Sequence, residues 1–268
     1  MRFKNLEDRM LYYRGLTDYK LMPRSYVMVM VDGRSFSTMI KNKFEKPFDD
    51  DFIGMMNETA VYLCENVSGC KFAYTQSDEI SLVLTDFDDR NTESFFGYRL
   101  TKMLSVIASL ATAKFNQLMT AYQLRNAGPG VGTAIEKLPL YQFDCKCWNV
   151  PCYEDVFAWF LYRQIDCIRN SKQQAARAYL SHNKLMNLDT DKQIQLLKNE
   201  KGVDWNEYED GKKYGRFIYR EELECFNQEI GESYYRHKWL CHDGFRLTSD
   251  EEYNGREKFD ALGVIPKR

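Results

Sequence analysis

The sequence lacks any stretch that would carry it into or across a membrane. Its uninterrupted apolar runs, such as 26–31, are far short of the ~20 residues a span needs. The opening MRFKNLEDRM has no apolar centre, so we expect no secretory signal, no membrane partner and a cytoplasmic location. Excess basic charge is missing too. Lys and Arg number 37 against 39 Asp and Glu, a formal net charge of −2. The field of the whole protein therefore does not attract a polyanion, and a nucleic acid would have to meet a local basic patch. Histidine is scarce: His182, His237 and His242 all stand in the last third. The one tight cysteine cluster, Cys145-Lys146-Cys147 with Cys152, has no second CxxC and no histidine nearby, and Cys241-His242 stands alone, so structural zinc is disfavoured. In a chain without a signal, the eight cysteines read as reduced thiols. Repeats and low-complexity tracts are absent.

What is present reads as alternating strands and helices. The run 25–31 (SYVMVMV) is rich in β-formers and ends at a turn signal, Asp32-Gly33. After Pro47, the acids Asp49, Asp50 and Asp51 precede apolar residues at Phe52, Met55, Met56, Leu63 and Val67, which is helical spacing with carboxylates where the helix dipole favours them. Two strands are predicted at 70–76 and 79–85 around a tight turn, then a long helix over 92–123. A break at Gly128-Pro129-Gly130 leads to a further strand-like stretch that ends near Phe143-Asp144. The order β-α-β-β-α-β is the ferredoxin-like unit, with sheet order 4-1-3-2. We expect an α+β fold, with a catalytic unit over 1–145 and a helical and short-strand extension over 146–268. Helices are predicted at 153–180 and 190–199, a loop at 202–215, and a loose tail over the last fifteen residues.

The topology has a chemical consequence. The end of strand one must lie beside the start of strand three, so Asp32 meets Asp78 and Glu79 at one sheet edge. Carboxylates so placed suit Mg²⁺, which takes oxygen ligands and is commonly shared with substrate phosphates. Gly33, without a Cβ, would let its backbone approach a triphosphate. The same spacing equally serves a strand-end turn and a hairpin turn with no metal at all. Arg163 and Asp166, three apart on a helix, fit a surface ion pair as well as they fit a ligand contact.

The literal residues add more. Val31-Asp32-Gly33-Arg34-Ser35-Phe36, Phe44-Glu45-Lys46-Pro47, Tyr74-Thr75-Gln76-Ser77-Asp78-Glu79-Ile80-Ser81, Phe143-Asp144 and Tyr162-Arg163-Gln164-Ile165-Asp166-Cys167 follow one another in family order. Together they closely resemble the tRNA(His) guanylyltransferase family. The resemblance implies a polymerase palm-like sheet, and RNA extension in the 3′-to-5′ direction with ATP, GTP and other nucleoside triphosphates as substrates. It also implies tRNA as partner and a homotetramer. Asp32 and Asp78 match the family's aspartates for two Mg²⁺ ions, and Gly33 the glycine whose carbonyl assists. Glu79 matches an essential carboxylate. Gly33, Arg34, Ser35, Phe36, Lys46 and Ser77 match the nucleotide site. In an extended strand Asp78 and Glu79 point to opposite faces, so the metals are assigned to Asp78 and the role of Glu79 stays open. Lys212, Lys213 and Arg216 resemble a basic segment of relatives, and Lys41 and Lys43 read as a solvated loop.

The sequence departs from the eukaryotic pattern. There a His-Ile-Asn-Asn-Leu-Tyr-Asn motif follows the Asp-Cys pair; here Asp166-Cys167 is followed by Ile168-Arg169-Asn170-Ser171-Lys172, and Ser37 stands where many relatives have His. This variant is similar to the guanylyltransferase-like branch that favours templated addition and repair of 5′-truncated tRNA. The alternatives are a dedicated tRNA(His) guanylyltransferase, another palm-type enzyme such as a nucleotide cyclase, and a non-catalytic ferredoxin-like RNA-binding module. The last would need a Lys/Arg-Gly-Phe-type strand motif for base stacking, which the sequence does not carry.

Overall fold

The computed structural model describes residues 2–39, 43–126, 139–227, 232–250 and 253–267. Lys41 and the Gly128-Pro129-Gly130 break lie outside them. In chain order the elements are α1 (Leu6–Gly15), β1 (Tyr26–Gly33), α2 (Phe36–Met39), α3 (Asp50–Asn66), β2 (Cys70–Gln76), β3 (Glu79–Leu84), α4 (Leu100–Asn126) and β4 (Phe143–Val150). They continue with α5 (Tyr153–Tyr179), α6 (His182–Leu185), α7 (Thr190–Lys201), α8 (Asp210–Tyr214), β5 (Arg216–Asn227), β6 (Glu232–Asp243) and α9 (Gly255–Ala261).

The strands form one six-stranded antiparallel sheet of order β4-β1-β3-β2-β5-β6. Its first four members stand in the expected 4-1-3-2 order. β1 is apolar from Tyr26 to Val31 because both of its faces are covered there. Val27, Val29 and Val31 pack with Met55, Met56 and Leu63 of α3 and with Met103, Ile107 and Phe115 of α4. Tyr26 and Met28 pack on the other face with Val156 and Phe160 of α5. α3 starts as its sequence predicts. Asp49 caps it, accepting from Phe52 N at 2.9 Å, with Asp50 and Asp51 in the first turn.

Several expectations are corrected. The helix predicted from residue 92 begins at Leu100. Before it, Phe96, Gly97 and Tyr98 hold positive φ, and Leu100 N and Tyr98 O bond to Tyr19 and Leu21, so the main chain is engaged outside a helix. The segment 202–215 contains the short helix α8. The strands after residue 216 are not short: β5 and β6 are 12 residues each and extend the sheet from β2. β4 runs through residues 145 and 146, so the expected division falls inside a strand of the common sheet. The tail is not loose. Phe259 and Ile265 are buried against the α5 side of the sheet, and the Tyr26 hydroxyl donates to Pro266 O at 2.6 Å. Charged neighbours such as Arg256, Glu257 and Lys258 dilute its apolar signal, and only the finished sheet face gives these residues something to pack on. α1, which the sequence reading did not foresee, buries no residue. No helix among the described residues is long and apolar enough to cross a membrane.

Candidate functional site

The sheet register brings the carboxylates together. Asp32, at the end of β1, is the Cα partner of Glu79 on β3 and of Asp144 on β4. Asp78 sits in the turn between β2 and β3, and its carbonyl accepts from Gly33 N–H at 3.0 Å, which ties the turn to the end of β1. Ser77, at φ +48, donates its hydroxyl to Asp78 Oδ1 at 2.9 Å. The Asp32 carboxyl is pushed up to about 6 by partial burial and by the negative charges of Asp78 and Asp144, against which Lys146 and Arg163 act. Burial also raises the Asp78 carboxyl, with the Ser77 hydrogen bond opposing. The cluster is therefore short of positive charge.

A divalent cation would supply that charge. Among the described residues, no three Asp, Glu, His or Cys side chains converge to enclose a metal by themselves. What converges is an all-oxygen pair, Asp32 and Asp78. This fits Mg²⁺, which completes its shell from water and phosphate, and does not fit a metal needing nitrogen or sulfur ligands.

Glu79 takes no part in that pair. It is 5% exposed and grips the Arg163 guanidinium with both oxygens, Nε–Oε1 at 2.7 Å and Nη2–Oε2 at 2.5 Å. Arg163 also reaches Asp166 at 3.1 Å. Arg163 and Asp166 thus form no surface pair. Arg163 is buried at the sheet, where α5 crosses β3, and joins helix to strand. Burial raises the Glu79 carboxyl while the guanidinium pulls it back.

Gly33 is a close-approach position: a Cβ there would fall 2.0 Å from the Phe36 ring. Phe36 itself is 1% exposed and packs among Phe52, Phe115, Tyr141 and Phe143, so its side chain serves the core first. Arg34 and Ser35 are exposed. Arg34 donates to the Gln142 side chain at 3.1 Å, and Ser35 holds φ +58 at the start of α2. Lys43 is no free loop cation, since it donates to the Tyr141 hydroxyl at 2.9 Å.

Beside the carboxylates lies a cleft of about 440 Å³. Of the predicted site residues, Phe36, Lys46, Ser77 and Asp78 line it; Asp32, Gly33, Arg34, Ser35 and Glu79 do not. Its wall also includes Asn170, Gln174 and Arg177 of α5, Lys212 of α8 and Arg216 of β5. Lys212 and Arg216 belong to the basic segment already noted in the sequence; that it shares a wall with Asn170 and Gln174 was not legible, because nothing in the spacing shows that the far half of α5 and the start of β5 meet. The fourth strand was expected to end near Asp144; instead β4 begins at Phe143, and its antiparallel pairing with β1 sets Asp144 against Asp32.

The family model described as tRNAHis guanylyltransferase (Thg1) matches residues 7–151. An uncharacterised protein of Acanthamoeba polyphaga mimivirus is 30% identical over 240 residues, covering 82% of this chain and 78% of that protein. A tRNA(His) guanylyltransferase of Debaryomyces hansenii is 27% identical over 212 residues, covering 75% and 76%. A bacterial tRNA(His) guanylyltransferase (Thg1)-like protein solved in complex with ATP superposes with a TM-score of 0.76 at 31% identity, over 97% of this chain and 99% of that one. Its counterpart in complex with GTP gives 0.71 at 30% identity, over 96% of each.

Proposed function

The chain belongs to the tRNAHis guanylyltransferase family, and on that premise we propose that it is a metal-dependent nucleotidyltransferase that extends tRNA at the 5′ end, with an opposing base choosing the nucleotide. The observation that carries this reading is the meeting of Asp32 and Asp78 at one sheet end, beside a cleft walled by Lys46, Arg177 and Lys212.

In this reaction the 3′-hydroxyl of a nucleoside triphosphate attacks the activated 5′ phosphorus of the RNA. A new O–P bond forms, the bond to pyrophosphate or AMP breaks, and the hydroxyl gives up its proton. Two Mg²⁺ ions held by Asp32, Asp78 and the Gly33 carbonyl would lower the charge penalty at the attacking and leaving oxygens. The chain's own groups position the reactants. Ser77 orients the Asp78 carboxylate, the Gly33–Asp78 backbone bond fixes the spacing of the two carboxylates, and Lys46 meets the phosphate chain. Arg34, Ser35 and Phe36 shape the turn over which that chain passes. Glu79 acts from below by holding α5 through Arg163. Where the RNA carries only a 5′-monophosphate, ATP activates it first by transferring its adenylyl group. A structural relative solved with ATP, and another with GTP, support both nucleotides as substrates. A homotetramer belongs to the same reading, supported by the apolar residues that α1 leaves exposed, Leu6, Met10, Leu11 and Tyr13 among them.

Template choice follows from what the cleft holds. Its cations, Lys46, Arg177, Lys212 and Arg216, meet phosphates, which all four nucleotides share. Ser171, in the stretch where eukaryotic relatives carry the Asn-rich motif, already serves the fold: it donates to Ile168 O and Lys213 O and accepts from Trp205 Nε1. A tRNA lacking its first nucleotide, opposed in turn by each of the four bases, tests the reading. With Mg²⁺, ATP and each nucleoside triphosphate, growth should follow the complement and stop when the acceptor stem is full length. Guanosine added whatever the opposing base would make the protein a dedicated tRNA(His) enzyme instead.

A further inference from the structure

Arg216 opens β5 immediately after Gly215, whose φ of +77 and close approach to the Tyr74 ring leave no room for a side chain. It is 4% exposed, yet it lines the cleft. Two of its nitrogens are accounted for. Nε donates to Asn57 Oδ1 at 2.9 Å, and Nη1 donates to Gly211 O at 3.0 Å. Both acceptors are neutral. Nη2 is buried and has no hydrogen-bond partner among the described residues. Asp243, its register partner on β6, attracts it only at longer range. A buried guanidinium nitrogen without an acceptor is costly, and a cation kept in that state is suited to an anion that arrives later. The neighbouring carboxylate of Asp49 is already engaged: it accepts from Phe52 N and Glu45 N. Arg177 on the same wall adds positive charge, Asn170 and Gln174 add amide donors, and Lys212 is already paired with Asp50 at 2.7 Å and Glu209 at 3.2 Å.

We propose that Arg216 forms the floor of a phosphate-binding subsite in this cleft, its Nη2 donating to a phosphate oxygen once the contacts that cover it part, while Arg177 adds positive charge. The proposal deepens the reading above, and rests on it only in taking the cleft as the place where phosphorylated substrate binds. Arginine suits the task because its fork stays charged even when burial draws its pKa down, as it does here. The phosphate could belong to the nucleoside triphosphate or to the 5′ end of the RNA. The chemistry of recognition is the same.

The test separates the sources and needs no turnover. Metal-free protein in EDTA is titrated by calorimetry with inorganic tripolyphosphate, and with an acceptor-stem oligoribonucleotide bearing either a 5′-phosphate or a 5′-hydroxyl. Arg216→Lys, checked by circular dichroism, should weaken the relevant ligand roughly tenfold or more, the scale of one lost charge-assisted hydrogen bond. Loss with tripolyphosphate assigns the subsite to the nucleotide. Loss only of the preference for 5′-phosphate over 5′-hydroxyl assigns it to the RNA end. Should Arg216→Lys not fold, arginine side-chain NMR of the wild type decides the matter, because the Arg216 Nη resonances must shift as tripolyphosphate or the 5′-phosphorylated RNA is added. Affinities unchanged by Arg216→Lys, or resonances that do not move with either ligand, overturn the subsite. Asp32→Ala should leave this metal-free binding in place, so the subsite and the nucleotidyltransferase reading can fail separately.

Discussion

At the scale of single residues, Asp32 places the needs of a metal site against those of the fold. Its carboxyl titrates near 6 in the folded chain against an ordinary 3.8, so between those values the metal-free native state keeps a proton that the unfolded chain has released. The group therefore costs no stability below about pH 4, costs progressively more as pH rises, and imposes its full cost above about pH 6. Metal-free Asp32→Asn should melt at a higher temperature than wild type at pH 7.5, and the gap should shrink toward pH 4.5. The same substitution should cut nucleotide addition by roughly a hundredfold or more. A melting difference that does not change with pH would mean that burial and the charges of Asp78 and Asp144 do not raise the Asp32 carboxyl. Glu79 behaves in the opposite way, as a fastener. Glu79→Gln leaves the buried Arg163 with Asp166 alone and should cost about 3 kcal/mol, read by urea denaturation. Adding Arg163→Met should recover part of that loss; a single-variant cost under about 1 kcal/mol sinks the idea. That Asp78 and Glu79 part ways was expected from the alternation of side chains along a strand, but the division falls at the strand's edge: Asp78 sits in the turn and Glu79 opens β3. That Glu79 meets Arg163 was not legible, since the turn of α5 facing β3 is set by packing and not by spacing within either segment.

At the scale of elements, β1 to β3, α3 and α5 were legible to within a few residues, whereas the fourth strand was expected to end where β4 begins. Each of the legible elements carries a run or stripe of apolar residues bounded by a turn or cap. α9 was not, although its core contacts are substantial. Phe259 sits against Phe72 and Phe157, each with ring centroids 5.3 Å away, and is 2% exposed. One aromatic among charged residues has no periodicity to read; its importance comes from the surface it meets. Phe259→Ala should cost about 3–5 kcal/mol in chemical denaturation, as for other large-to-small core changes. A cost under about 1 kcal/mol would mean that the tail merely rests on the sheet. α1 escaped the sequence reading for the reverse reason. It buries nothing, so no stripe faces a core, and what marks it is its Asn5 cap, accepting from Asp8 N at 2.7 Å.

At the scale of the whole molecule, a net charge of −2 conceals an uneven distribution. Carboxylates gather at the end of β1, while Lys46, Arg177, Lys212 and Arg216 gather around the cleft beside them, and no average over the chain could display that division. The sheet makes it possible by continuing past the four expected strands into β5, whose first residue is Arg216. The same closure has a consequence in time. The Tyr26–Pro266 hydrogen bond joins positions 240 apart in sequence, and Phe259 seals the face that β1 began. Contacts so distant along the chain carry a high loop-closure cost and form late on the way to the native state. The tail should therefore act as a latch on escape and not as a guide to entry. In stopped-flow measurements, Phe259→Ala should speed unfolding by most of its stability loss and leave the refolding rate nearly unchanged.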